Sequence, residues 1–298
     1  MPSLALRNWF GRSVPVELSR PPPLIAKMAE DLEYEPPPEG TPNWPPERLA
    51  VADSLWGGGY QLPGGEIEFL RLAKPLGLSA ASTLLLVGAG AGGAACALAA
   101  RLGVWVVGFE ADESLVADAR QRIGGTKLGK RAQAEVWDPF EPAFERHAYH
   151  HGLAIQPLRG GLPEPVLASI SGALKPGGQL TLVELVADSP LDARDPDTAR
   201  WAALERRAPE GVPTETTVTR VLGRLGFDVR VAEDISRRHA DQALLGWRTR
   251  VRRLEEERPP PREAAALVAE AEFWLVRLRL FRAGALRMVR WHGIGRGT

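Results

Sequence analysis

The order of apolar runs along this chain predicts an α/β protein, a largely parallel sheet with helices on both faces. Two features carry that reading. Apolar, β-rich runs alternate with helix-forming runs from Thr83 to Val229, and strands separated by helices need crossover connections, which make neighbours parallel and cover both faces. The first apolar run, Thr83 to Val87, stops at the loop Gly88-Ala89-Gly90-Ala91-Gly92-Gly93. A glycine-rich turn between a strand and a helix lets backbone approach a ligand closely.

The elements follow in order. Residues 1–46 hold 11 of the 26 prolines, with PPP at 21–23 and at 36–38, and are expected to form an arm with little regular structure beyond a short helix around Leu24 to Leu32. In residues 47–80 two short amphipathic segments flank a Gly-rich turn. Phe69, Leu72 and Ala73 take helical spacing there and Pro75 ends the run. The core, residues 81–235, then alternates. Strands are expected at Thr83 to Val87, Val104 to Phe109, Gln133 to Trp137, Gly152 to Ile155 and Gln179 to Val186, with another opening at Gly226-Phe227. Helices are expected at Ala94 to Leu102, from an Asp112 cap through Ile123, at Leu162 to Leu174 and at Thr214 to Leu225. Residues 236–298 turn helical and basic, PPP at 259–261 divides two helices, and Arg287 to Ile294 is the final strand.

Composition narrows the function classes. The 298 residues carry 37 Lys+Arg against 37 Asp+Glu, with 44% hydrophobic residues, which excludes disorder throughout. Cys96 is the single cysteine, so neither a disulfide framework nor a thiolate zinc cage can form within the chain. The neutral total hides an asymmetry. From Ser236 to Thr298 there are 14 Arg, no Lys and 7 acids, a net of +7 that leaves −7 for the rest. Arg248, Arg250, Arg252 and Arg253 are followed by acids at 255–257, a spacing for i to i+4 pairing on an exposed helix face, so no nucleic-acid partner is expected. Residues 75–100 lack charged side chains and are long enough to cross a bilayer. Their centre, GAGAGG, is poor for a helix interior, so no membrane span is expected. No secretory signal is visible either, and the expected location is the cytoplasm. A homo-oligomer is compatible with the sequence.

The glycine loop implies a ligand. It can turn a helix N-terminus and its free N–H groups toward a polar or anionic group. Glu110 follows the second strand, where a carboxylate can accept both hydroxyls of a ribose, so the pair implies an adenosine-containing cofactor. Gly88, Gly90 and Gly93 satisfy GxGxxG, which makes a nicotinamide-dependent oxidoreductase the first candidate.

The downstream segments point elsewhere. LLLVGAGAGG (84–93), VVGFE (106–110), VLASISGALKPGGQLTLVE (166–184) and LGFDV (225–229), taken together, resemble the class I S-adenosylmethionine-dependent methyltransferases, over about residues 55–298. The LKPGG turn and the GF pair are marks of that family and not of dehydrogenases. WGGGYQLPGG (56–65) is similar to the cap segment of its members acting on sterols or phosphoethanolamine. The helical insertion before the last strand is shared with that group, where it helps roof the acceptor. The resemblance implies a Rossmann-like sheet with an N-terminal cap and a C-terminal helical lid, S-adenosyl-L-methionine as cofactor, and a small, lipid-related or amine acceptor.

Carried over by position, the resemblance sets Gly88, Gly90 and Gly92, with Ala89 in the same loop, against the methionine part of the cofactor. It gives Glu110 the ribose hydroxyls and Asp138 the adenine amine, with Trp137 or Ala111 beside the ring. Tyr60 takes a cap position that closes over cofactor or acceptor. There are two departures: Leu86 stands where the family has an acid, and His150-His151 stands where it often has Phe-Asp. They keep a non-catalytic, methyltransferase-like binding protein open as an alternative.

Methyl transfer from a sulfonium is an in-line displacement, so a protein aligns the partners, excludes water and takes a proton from a protonated acceptor. Gln156, after the fourth strand, is the leading acceptor-facing polar residue, and Tyr60 closes the cap. His151 or His150 has the titration range of a general base, although the start of a strand is the wrong end of the sheet. Glu184 ends the fifth strand and either faces the acceptor or is a structural carboxylate. Trp201, Trp247 and Trp274 lie in roofing regions suited to an apolar molecule or an ammonium, with core packing the better expectation for Trp274. His239 and His292 have no ligand-like spacing, and no metal is expected.

Overall fold

The computed structural model describes residues 42–256 and 258–296, so the expected arm, up to residue 41, lies outside the described residues. Seven strands form one sheet in the order β3-β2-β1-β4-β5-β7-β6. They are β1 Thr83–Val87, β2 Trp105–Glu110, β3 Ala132–Val136, β4 Tyr149–Ile155, β5 Leu174–Ala187, β6 Phe227–Asp234 and β7 Leu286–Gly295. β1 pairs in parallel with both β2 and β4, so Leu86 stands between Gly108 and Leu153. β7 runs antiparallel to β5 and β6. The chain moves outward from β1 to β3 and returns to β4 on the other side of β1. That reversal opens a crevice beyond the carboxyl ends of β1 and β4.

Helices cover both faces. They are α1 Pro46–Trp56, α2 Gly65–Ala73, α3 Gly93–Leu102, α4 Glu113–Gly124, α5 Pro163–Ala173, α6 Pro196–Glu205, α7 Glu215–Arg224, α8 Ser236–Glu256 and α9 Pro261–Ala283. Side chains of a strand alternate between faces, and β1 shows it. Leu84 and Leu86 join the core formed with Ala95 and Leu98 of α3, Leu115 of α4 and Trp274 of α9. Leu85 and Val87 join Leu167 and Ile170 of α5 with Val218 and Leu222 of α7. The charge-free stretch 75–100 is divided between β1, the loop and α3, and no described helix is long and apolar enough to cross a membrane.

Local chemistry sets the ends. Asp112 caps α4 by accepting from the Ser114 amide at 3.0 Å, and Thr214 caps α7 through the Thr217 amide at 3.2 Å. The sequence reading missed α6, although Asp195 accepts from the Thr198 amide at 2.8 Å and Pro196 takes the first helical position. The LKPGG segment belongs to the start of β5. Tyr149 pairs with Leu174 and His151 with Gln179, so residues 175–178 bulge opposite His150 alone. β4 accordingly begins three residues earlier than expected. α9 packs on α1, where the Trp56 and Trp274 rings meet edge to face at 5.3 Å.

Candidate active site

A cavity of about 380 Å³ lies at the carboxyl ends of β1, β2 and β4. Gly88, Ala89 and Gly90 form its floor beside Glu110 and Ala111, Trp137 and Phe140 form one wall, and Gln156 continues it toward the lid. Gln61 and Leu62 of the cap and Phe273, Trp274 and Arg277 of α9 roof it.

The floor needs its glycines. Gly88 has φ +73°, and a Cβ there would overlap the Ile155 carbonyl oxygen, which is fixed backbone. Gly90 has φ +61°, and its Cβ would overlap Gln61 Oε1, the end of a side chain. Hydrogen bonds hold the loop. Gly88 N donates to Phe109 O at 2.8 Å, Gly90 N to Glu110 Oε2 at 2.9 Å and Ala91 N to Gln61 Oε1 at 3.0 Å. Glu110 Oε1 accepts from Ala111 N at 2.8 Å. Burial pushes the Glu110 carboxyl above its ordinary range, against the pull of the Gly90, Asp112 and Ala111 amides. The cap is tied to the same loop. Gly93 N donates to Gly59 O at 3.1 Å, and Arg122 donates from Nε to Ala91 O at 3.0 Å while pairing with Asp53 at 3.2 Å.

Of the residues singled out from sequence, Gly88, Ala89, Gly90, Glu110, Ala111, Trp137 and Gln156 line this one cavity. Four do not. Gly92, at φ +89°, is the N-cap of α3, and a Cβ there would press on Ala119. The Asp138 carboxylate turns back to accept from Phe140 N at 2.8 Å. Tyr60 is 8% exposed and packs under the cap with its ring 5.7 Å from that of Phe69. Burial pushes its hydroxyl up to about 12, unsuited to proton removal near neutral pH.

His151 needs the same correction. It stands opposite Leu84 and Gln179 toward the amino end of β4, with Nδ1 accepting from Gln179 N at 3.3 Å. His150 is held there too, its Nδ1 2.8 Å from Thr83 Oγ1. Burial depresses both imidazoles, and neither lines the cavity. Glu184 is structural: fully buried, it accepts from the Leu158 and Leu185 amides at 2.9 and 3.0 Å, with Arg207 at 3.5 Å. Trp201 and Trp247 are core residues outside the lining. Trp274 is buried in the core as expected, and it also lines the cavity and donates from Nε1 to Glu270 at 3.1 Å. Leu86 is wholly buried in the core.

Sequence reasoning missed Gln61, Arg48, Arg159, Glu205, Glu270 and Arg277, all in the lining. Gln61 adjoins Tyr60 in the cap segment, and its Nε2 is buried without a hydrogen-bond partner. Gln156 sits at φ +48°, a left-handed conformation that costs a non-glycine residue about 1–2 kcal/mol. Its amide is fixed by Val183 O at 2.7 Å and its Oε1 accepts from Arg277 Nη2 at 3.4 Å.

A cofactor with a ribose and an amino-acid tail suits this floor. Glu110 would take the ribose hydroxyls, the Gly88–Gly90 backbone would lie against the tail, and the orphaned Gln61 amide supplies a further donor.

No protein-family profile matches the chain. It is 28% identical over 169 residues to Sterol 24-C-methyltransferase ERG6 of Saccharomyces cerevisiae, which spans 55% of this chain and 44% of that protein. The structure superposes on Haemonchus contortus phosphoethanolamine N-methyltransferase 2, in complex with phosphomonomethylethanolamine and S-adenosylhomocysteine, with a TM-score of 0.71 and 18% identity, over 83% of this chain and 57% of that one. It also matches the Streptomyces coelicolor geranyl diphosphate C-methyltransferase with a TM-score of 0.59 and 14% identity, over 84% and 98% of the two chains. The chain thus spans under half of the sterol methyltransferase and under two thirds of the phosphoethanolamine enzyme, and at these identities the structural likeness establishes the fold. The chain has the Rossmann-like fold of the class I S-adenosylmethionine-dependent methyltransferases, and its sequence is similar to one that acts on a small molecule.

Proposed function

We propose that this protein transfers a methyl group from S-adenosyl-L-methionine to a small-molecule acceptor. The supporting observation is the Glu110–Gly90 hydrogen bond at 2.9 Å. It joins the carboxylate suited to a ribose to the loop whose glycines leave room for backbone contact, in one cavity with Gln156. The cofactor would supply an electrophilic methyl group on sulfur. The chain's residues then bind and orient. Glu110 and the loop hold one end, Gln156 presents an amide to the acceptor, and Gln61, Trp274 and Phe273 exclude water. Residues 47–80 serve as the cap of this unit and 236–283 as its lid. No imidazole stands among the described lining residues, so neither His150 nor His151 acts as the general base in this reading. A cytoplasmic setting is part of the same proposal.

Incubation with methyl-labelled cofactor and a small-molecule cell extract tests the activity. Label is expected in a low-mass product with the wild type, and less of it with Glu110→Ala at limiting cofactor. A wild type that binds cofactor but labels nothing across extracts of varied origin would make the protein a non-catalytic binder.

A further inference from the structure

Part of the cavity lining is rich in arginine. Among the described residues, Arg48, Arg159, Arg206 and Arg277 line the cavity together with Glu205 and Glu270. Glu270 is committed to Arg48 at 2.8 Å and to the Trp274 indole. Glu205 is shared, since Arg159 Nη2 and Arg277 Nη1 each stand 3.6 Å from its carboxylate.

Arg277 is left under-served. It is 4% exposed, its contacts to Glu205 and to Gln156 are long at 3.6 and 3.4 Å, and its Nε has no hydrogen-bond partner. A desolvated guanidinium is costly unless short hydrogen bonds to an anion compensate it. Burial lowers the Arg277 pKa; Glu205 raises it, and Arg159 and Arg207 lower it further. The aromatic faces that would cradle an ammonium are already covered. Arg48 lies 4.3 Å from the Trp44 ring centre, and Arg277 lies 5.3 Å from that of Trp274 and 5.6 Å from that of Phe273. An amine acceptor would meet cations where it needs π-faces.

We propose that Arg277 and Arg159 form a binding site for an oxyanion head group, phosphate or carboxylate, on the acceptor. A guanidinium matches such groups with paired N–H donors, and the Arg277–Gln156 contact sets the anion beside the acceptor-facing amide. Leu62, Phe69 and Ile155 of the same lining are available to apolar parts of the molecule. The word acceptor rests on the methyl-transfer reading; the anion site itself does not.

Calorimetry on the full chain tests it, with octyl phosphate, octanoate, inorganic phosphate and octyltrimethylammonium as probes, each with and without saturating S-adenosylhomocysteine. The octyl anions are expected to bind about tenfold or more tighter than the ammonium, and less tightly as salt rises. Arg159→Gln and Arg277→Gln should each weaken anion binding about tenfold or more, a larger loss than either causes in S-adenosylhomocysteine affinity. Should Arg277→Gln fail to fold, Arg159→Gln, whose side chain is 35% exposed, decides. Inorganic phosphate binding as tightly as octyl phosphate supports a site for free phosphate, and weaker binding supports one for a tailed head group. Preference for the ammonium, failure of every anion to bind, or anion affinity indifferent to both substitutions overturns the proposal. Anion binding without S-adenosylhomocysteine binding would uphold the site and reject methyl transfer, and the reverse result would do the opposite.

Discussion

Glu110 Oε2 accepts the Gly90 amide hydrogen at 2.9 Å across a separation of 20 residues, so the acid ending β2 and the loop following β1 act as one unit. Replacing Glu110 by Ala is expected to weaken S-adenosylhomocysteine binding by about 1.5–3 kcal/mol, the scale of hydrogen bonds to a charged group. The pH dependence follows from burial, which raises this carboxyl above 4.5. Ribose hydroxyls donate to the ionised form, so affinity is expected to fall as pH drops toward that raised value, ahead of an ordinary glutamate. Titrations between pH 8 and 5 with wild type and Glu110→Gln check this. A wild-type curve as flat as the variant's would refute the role.

The two loop glycines should respond differently to alanine. At Gly88 the added methyl meets the fixed Ile155 carbonyl, and at Gly90 it meets the movable end of Gln61. Both changes incur about 1–2 kcal/mol for a left-handed backbone. Gly88→Ala is expected to lose substantially more than that, or to fail to fold. Gly90→Ala should lose less and be partly rescued by Gln61→Ala. Thermal melts of the four variants decide, and equal losses at both glycines would contradict the geometry.

Glu184 and Arg207 are buried together, with side chains 0% and 2% exposed. Glu184→Ala leaves the guanidinium without its carboxylate, at an expected cost of about 3–5 kcal/mol. Adding Arg207→Met should recover part of the loss. Urea unfolding of both variants measures it, and a Glu184→Ala penalty below about 1 kcal/mol would return Glu184 to the acceptor-facing role that sequence left open.

His239 is 3% exposed between Trp274 and Phe281. Burial, with Arg277 and Arg238 nearby, holds its pKa well below 6.5. The folded state refuses a proton that the unfolded chain takes up below about pH 6.5. Its stabilising contribution is therefore complete above that pH and is lost as pH falls toward the folded value. The slope from this one group is about 1.4 kcal/mol per pH unit. His150, His151 and His292 are shifted the same way, so His239→Leu should reduce the slope without abolishing it. An unchanged slope would show that His239 is not held neutral.

The half of the site around the glycine loop was legible because its parts are local in sequence. Gly88, Gly90 and Glu110 end adjacent parallel strands, and an apolar run stopping at glycine is visible without a structure. The other half is assembled from Arg48 on α1, Glu205 on α6 and Arg277 on α9, which share no motif. Arg277 lies in EFWLVRLRL, where helical spacing signals packing and hides which face meets a cavity. Tyr60 drew attention one residue too early, because the backbone turn hands the loop contact to Gln61. The histidines misled because their chemistry is plain in sequence, whereas their place at the amino end of β4 depends on strand direction and register.

The central claim is that this cavity holds S-adenosylmethionine, and calorimetric titration of the wild type with S-adenosylhomocysteine, with NAD as the competing ligand, tests it most directly. Micromolar, one-to-one binding of S-adenosylhomocysteine that Glu110→Ala weakens and NAD does not displace is the expected result. Preference for NAD, or no binding of either, would contradict it.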